Sequence, residues 1–178
     1  LSCRIGPDAR NMAPPGRSFE PRAVTTAPSR GRHACTAAGA IGYEAATLPE
    51  VIARLKAAGV SVVIDVRAVA ASRRAGFSKT ILRSSLEAEG IGCGRLRGLG
   101  APKPGREAAR KGRIAEMEAI FAEHMATPEA QDALARAIEI ARTEPAALLC
   151  FEADAAGCHR RIVAGLVREA AGCEVRDL

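Results

Sequence analysis

Tryptophan is absent from this chain, tyrosine occurs once, and aromatic residues make up only 3% of its 178 residues. A platform that stacks single-stranded bases needs aromatic faces, so this poverty argues against that mode of nucleic-acid binding. Long apolar runs are missing too, and none approaches the roughly 18 residues that a membrane span requires. No Gly-x-x-x-x-Gly-Lys-Ser/Thr loop is present, and no Gly-x-Gly-x-x-Gly leads from a strand into a helix. A phosphatase loop would need Arg six residues after its Cys, but Cys93, Cys150 and Cys158 are followed there by Leu99, Ala156 and Ala164. The histidines, His33, His124 and His159, have no nucleophile elbow beside them to complete a Ser-His-Asp triad. The six cysteines include no Cys-x-x-Cys pair and no spacing typical of a small secreted framework, so reduced thiols are expected.

What is present is ordinary globular composition, 48% hydrophobic and 26% charged, with a formal charge of +6. Much of that charge is local. Residues 1–38 carry Arg4, Arg10, Arg17, Arg22, Arg30 and Arg32 against Asp8 and Glu20, a net of +4, which leaves +2 for residues 39–178. The same segment holds five of the ten prolines and no periodic apolar pattern, and the chain opens on Leu1. We read residues 1–38 as a disordered or non-native Arg/Pro-rich extension, a fragment end or an over-extended reading frame, and residues 39–178 as a single domain.

From residue 39 strand and helix patterns alternate. Ala40–Tyr43 reads as a short strand, and Thr47-Leu48-Pro49-Glu50 as a capping box ahead of a helix faced by Leu48, Val51, Ile52 and Leu55. Val60–Val66 is an almost unbroken β-branched run, the pattern of a parallel strand buried on both faces. A loop, Arg67–Phe77, leads to a helix capped by Ser78 with Ile81, Leu82 and Leu86 on one face. A weak strand, Ile91–Leu96, and a Gly/Pro-rich loop, Arg97–Arg106, come next. Helices are predicted over about 107–126 and 128–143, a second buried strand at Ala146–Phe151, a last helix marked by Ile162, Val163, Leu166, Val167 and Ala170, and an edge strand at Cys173–Leu178. This alternation predicts a three-layer α/β domain, a mainly parallel Rossmann-like sheet with helices on both faces.

Ligands of open α/β sheets bind beyond the carboxyl ends of the strands. Three segments fall there: Asp65-Val66-Arg67 with the Ser72-Arg73-Arg74 loop, Leu99–Lys103, and Cys150-Phe151-Glu152 followed by Cys158-His159-Arg160-Arg161. A helix amino terminus stabilises anions and lowers a thiol's pKa, which makes Cys158 and Glu152 the catalytic candidates. Arg67, Arg73, His159 and Arg160 are the candidate ligands for an anion, with Arg74 the expected bystander. Cys150, Cys158 and His159 suggest zinc but lack a Cys-x-x-Cys pair and a clear fourth ligand, so no metal or other cofactor is assigned.

These stretches resemble the bacterial "domain of unknown function 488" family. The resemblance spans about Ile41 to Leu178. It rests on Ile41-Gly42-Tyr43-Glu44 with Thr47-Leu48, Asp65-Val66-Arg67, Ser72-Arg73-Arg74 with Gly76-Phe77-Ser78-Lys79, Leu99-Gly100, Thr127-Pro128-Glu129-Ala130, Leu149-Cys150-Phe151-Glu152 and Cys158-His159-Arg160. It implies a compact α/β fold in a bacterial cytoplasm and carries no established activity. Two departures stand out: Cys93-Gly94-Arg95-Leu96-Arg97 where members often carry an aromatic and a histidine, and Ala45 where glycine is familiar.

The expectation is therefore a pocket for a small anionic ligand, phosphate- or nucleotide-like, with room for catalysis at Cys158 or Glu152. A nucleic-acid patch built from Arg95, Arg97, Lys103, Arg106, Arg110, Lys111 and Arg113 is the alternative, and a non-catalytic regulatory or adaptor domain is a third. No membrane partner is expected, and the sequence leaves the oligomeric state open.

Overall fold

The computed structural model describes residues 38–178 of the chain. The extension read over residues 1–38 lies outside the described residues except for Ala38, which opens the first strand. Five strands, β1 (Ala38–Gly42), β2 (Val62–Asp65), β3 (Gly92–Arg95), β4 (Ala146–Cys150) and β5 (Val175–Asp177), form one sheet in the order β3-β2-β4-β1-β5. Every pairing is parallel. The helices are α1 (Leu48–Ala57), α2 (Lys79–Ala88), α3 (Lys103–Arg110), α4 (Ile114–Met125), α5 (Pro128–Thr143) and α6 (Arg160–Ala171). Two separate cores follow, one on each face of the sheet. Val51 and Leu55 of α1 and Leu82 and Leu86 of α2 pack with Val63, Ala147 and Leu149 on one side. Met117, Phe121, Ala133, Ala137 and Val163, from α4, α5 and α6, pack with Ile64, Leu148 and Cys150 on the other.

Side chains alternate faces along a strand, so β4 sends Ala147 and Leu149 to the α1/α2 core and Ala146, Leu148 and Cys150 to the other. Both faces are covered, so the strand is apolar throughout, and the sequence run shows no alternation. The same parity aims the Cys150 thiol at the α6 side. Helix α1 begins as expected, with the Glu50 carboxylate accepting the Thr47 amide at 2.7 Å and its hydroxyl at 2.8 Å.

Four expectations need correction. The Arg97–Arg106 loop contains a short 3-10 turn, Arg97–Leu99, and the first turn of α3. Its prolines occupy the entry to that helix, where a missing N–H costs nothing, so they start a helix rather than prevent one. The predicted helix over 107–126 is two, because Gly112 takes φ +70° between α3 and α4 and so ends the first. Ile81, read as part of a buried face, is 53% exposed. The expectation of reduced thiols holds for Cys93, Cys150 and Cys158, which are free, and is overturned at Cys173, which is disulfide-bonded.

Leu149 is fully buried at the middle of the sheet. Leu149→Ala should cost about 2–5 kcal/mol of unfolding free energy in a urea titration, with the m-value unchanged.

Candidate functional site

The carboxyl edge of the sheet gathers most of the predicted residues, but the bonded donors of the buried Arg67 and Arg160 point at protein rather than at open space. Arg67 leaves β2 immediately after Val66 and is 4% exposed. Its Nε and Nη2 donate to the two carboxylate oxygens of Asp65, each at 2.8 Å, and Nη1 donates to the Tyr43 hydroxyl at 2.7 Å and the Phe77 carbonyl at 2.8 Å. Burial pulls the guanidinium pKa down, but hydrogen bonds and charge from Asp65 outweigh it and hold it above the ordinary value. Tyr43 stacks on Phe77 at 4.0 Å between ring centroids, so the ion pair sits under an aromatic cover. The Arg67 side chain thereby ties the loop after β2 to the end of β1.

Arg160 is likewise turned inward, although its Nε has no partner among the described residues and its Nη2 lies 3.8 Å from the Asp177 carboxylate. It is 1% exposed, its Nη1 donates to the Glu152 carbonyl, and its Nη2 donates to the Ala153 carbonyl at 3.1 Å. Arg74, the expected bystander, donates to the Glu44 and Ala46 carbonyls and pins the turn after β1. Arg73 is exposed on the same loop. From the alternative basic patch, Arg95 donates to the Arg67 and Ala68 carbonyls, and Arg106 donates to the Ala101 carbonyl at 2.7 Å. Arg97, Lys103 and Arg110 stay exposed.

The acidic and sulfur groups form a tight centre beside the Arg160 clamp. Glu152 Oε2 accepts from the Cys150 thiol at 3.0 Å and from the Cys158 thiol at 3.1 Å. Cys158 Sγ lies 3.9 Å from His159 Nδ1, and the other ring nitrogen, Nε2, is 3.2 Å from the Val66 carbonyl. The Arg160 amide reaches Cys158 Sγ at 3.4 Å. Cys150, Cys158 and His159 are buried, and Glu152 is half-buried at the solvent side.

The electrostatics single out one thiol. The hydrogen bond from Cys150 lowers the Cys158 pKa to about 6, with His159 adding to it and burial opposing. That same bond, with burial, pushes Cys150 well above its ordinary value. Burial alone would depress His159, but its contact with Cys158 outweighs that and raises it. Burial would likewise raise Glu152, yet the bonds it accepts from Cys150 and Cys158 bring it below the usual carboxylate value. Chemically the centre sets Cys158, the more acidic of two thiols, beside an imidazole and a carboxylate. A nucleophile must meet its substrate, however, and Cys158 is 2% exposed. The four donor atoms lie within 4.8 Å of one another, which suits holding one small ion between them.

Sequence reasoning placed Cys150 at the strand end and weighed it as a zinc ligand, but left it out of the catalytic and anion-binding candidates. The available signal was its spacing from Glu152: residues two apart at a strand end share a face. Gly42 was also passed over. A Cβ there would fall 1.8 Å from the Glu152 carbonyl oxygen, so only glycine lets the chain carrying Glu152 cross the end of β1.

Two outcomes follow. Arg67→Ala leaves the Asp65 carboxylate, 2% exposed, without its partner, and should cost about 3–5 kcal/mol in urea titration with no ligand present. Arg67→Lys should recover only part of that, because an ammonium cannot make the two-point contact. A loss under 1 kcal/mol in Arg67→Ala would show that the pair does not hold the loop. Gly42→Ala should destabilise by more than about 1 kcal/mol through displacement of the Glu152 backbone, read by the same titration.

No helix among the described residues is long and apolar enough to cross a membrane. Comparison with curated proteins and with solved structures yields no match. The family model described as "Domain of unknown function DUF488" matches residues 47–167, a stretch running from the cap of α1 into α6 and including Asp65, Arg67, Glu152, Cys158, His159 and Arg160. With well over half its length matched, the chain belongs to the DUF488 family.

Proposed function

We propose that the domain binds a small anion of the phosphate or nucleotide kind, and that the binding place is the basic cleft beside the carboxyl ends of β2 and β3. Arg67 spends its side-chain donors on protein acceptors, and Arg160 is 1% exposed with Nη1 and Nη2 bound to carbonyls, so the anion falls to the more accessible neighbouring cations. Arg97, Lys103 and Arg106 line one cleft of about 310 Å³ with Ala68, Val69 and His124, against the single carboxylate of Glu129. That gathering of three cations at the strand ends carries the reading. The volume lies at the lower end of small-molecule sites, roughly 300 Å³, enough for a phosphate or one nucleotide. Lys103 also begins α3, whose positive dipole end adds to the attraction. The cleft is open to solvent, so screening makes the affinity modest and salt-dependent.

Thermal denaturation with inorganic phosphate and with adenosine monophosphate tests this. Saturating ligand, about a hundredfold above Kd, stabilises by about 2.7 kcal/mol and raises Tm by several degrees. Arg97→Ala combined with Arg106→Ala should raise the apparent Kd at least about tenfold without lowering the unliganded Tm by more than a few degrees. A flat response to both anions, or a shift the double variant keeps, sinks the reading. Salt-dependent binding to duplex DNA that Arg110→Glu and Arg113→Glu abolish, with no response to phosphate, would hand this face to nucleic acid instead.

A further inference from the structure

We infer that Cys150, Glu152, Cys158 and His159 form a binding site for one zinc ion, independent of the basic cleft. Four potential ligands come from three places: Cys150 from the last position of β4, Glu152 two residues on, and Cys158 and His159 from the entry to α6. Their donor atoms all lie within 4.8 Å of one another: Glu152 Oε2 is 3.0 Å from Cys150 Sγ and 3.1 Å from Cys158 Sγ, and Cys158 Sγ is 3.9 Å from His159 Nδ1. A tetrahedral zinc with bonds of about 2.3 Å to sulfur and 2.0–2.1 Å to nitrogen or oxygen sets its ligand atoms about 3.3–3.8 Å apart. Shifts of an ångström or less in each side chain bring this set to that geometry.

The surroundings are those a metal ligand needs. The Val66 carbonyl can only accept, so His159 Nε2 carries the hydrogen and Nδ1 presents its lone pair to the centre. A ring nitrogen tied to a carbonyl while the other faces the ion is the usual outer support of a metal-bound histidine. The Arg160 amide donates to Cys158 Sγ, as amides do to bound thiolates, and the Arg160 guanidinium holds the Glu152 and Ala153 carbonyls, which fixes the carboxylate's position. Phe121, its ring 5.2 Å from that of His159, closes the centre on the α4 side. Two thiolates and a carboxylate against a divalent cation leave one net negative charge, while the nearby Arg160 guanidinium binds the Glu152 backbone carbonyl and pairs with Asp177 at 3.8 Å.

Ligand softness selects the ion. Two sulfurs, one imidazole and one carboxylate favour zinc over magnesium or calcium, which prefer all-oxygen shells. Binding releases the two thiol protons and transfers no electrons. Glu152 is the only one of the four open to solvent, so it is the ligand that exchanges with water. The Cys158-His159-Arg160 triplet then has a division of labour: two ligands, and one positioning residue that holds the loop bearing a third.

The full-length chain, purified without chelator, should carry about one equivalent of zinc by elemental mass spectrometry. After chelation, cobalt(II) should restore a tetrahedral visible spectrum with sulfur-to-metal charge-transfer bands. Cys150→Ser, Cys158→Ser and His159→Ala should each weaken zinc at least about tenfold, while Cys93→Ser leaves it unchanged. Folding of each variant is checked by circular dichroism. Should any fail to fold, wild-type protein decides: zinc must protect Cys150 and Cys158, but not Cys93, from iodoacetamide. Octahedral cobalt spectra, zinc held equally by folded Cys150→Ser and Cys158→Ser, equal alkylation with and without zinc, or a metal-free protein with a Cys150–Cys158 disulfide would each overturn the site. The phosphate response of the basic cleft should persist in Cys158→Ser, so the two sites fail separately.

Discussion

Carbonyl groups at the carboxyl edge of a parallel sheet have run out of strand partners, and this edge solves that shortage with cationic side chains. Arg67 answers Phe77, Arg74 answers Glu44 and Ala46, Arg95 answers Arg67 and Ala68, and Arg160 answers Glu152 and Ala153. His159 and His124 do the same for Val66 and Gly98. A buried carbonyl without a donor costs about 1–3 kcal/mol, and a charged donor is the stronger kind of partner. The loops over the sheet are therefore held largely by guanidinium groups, with the Tyr43, Phe77 and Phe151 rings packed beside Arg67.

This constraint organises separate stretches of the chain around one place. Asp65-Val66-Arg67 supplies an ion pair that anchors the loop after β2 and a carbonyl that fixes the His159 ring. Gly42 clears the path for Glu152 across the end of β1. Cys158-His159-Arg160 places a thiol and an imidazole at the start of α6 and ties the loop before it. Separate stretches of sequence thus converge on a centre of two thiols, a carboxylate and an imidazole. The solvent-facing basic cleft of Arg97, Lys103 and Arg106 lies on another part of the same edge.

The fold was legible in the sequence because each element depends on local rules. The Val62–Asp65 and Ala146–Cys150 runs could only be strands covered on both faces, and Thr47 with Glu50 marked the start of α1. The exceptions were local as well. Pro104 opens α3 where a loop was read, and Gly112 divides one apparent helix into two. Half of the site was legible. The grouping of Arg67, Glu152, Cys158, His159 and Arg160 at strand ends followed from topology, since strand-terminal residues of a parallel sheet meet at one edge.

Sequence alone thus determined which residues come together: parity and strand order are properties of short segments and their connections. Tertiary structure alone decided what their polar atoms do. A guanidinium after a buried strand reads the same whether it faces an anion or a carbonyl, and only the packed backbone supplies the Asp65 carboxylate and the Phe77, Glu152 and Ala153 carbonyls. The Cys150 thiol likewise gains its meaning when a loop brings Cys158 and His159 back to it, because no rule of sequence spacing encodes a contact closed through space.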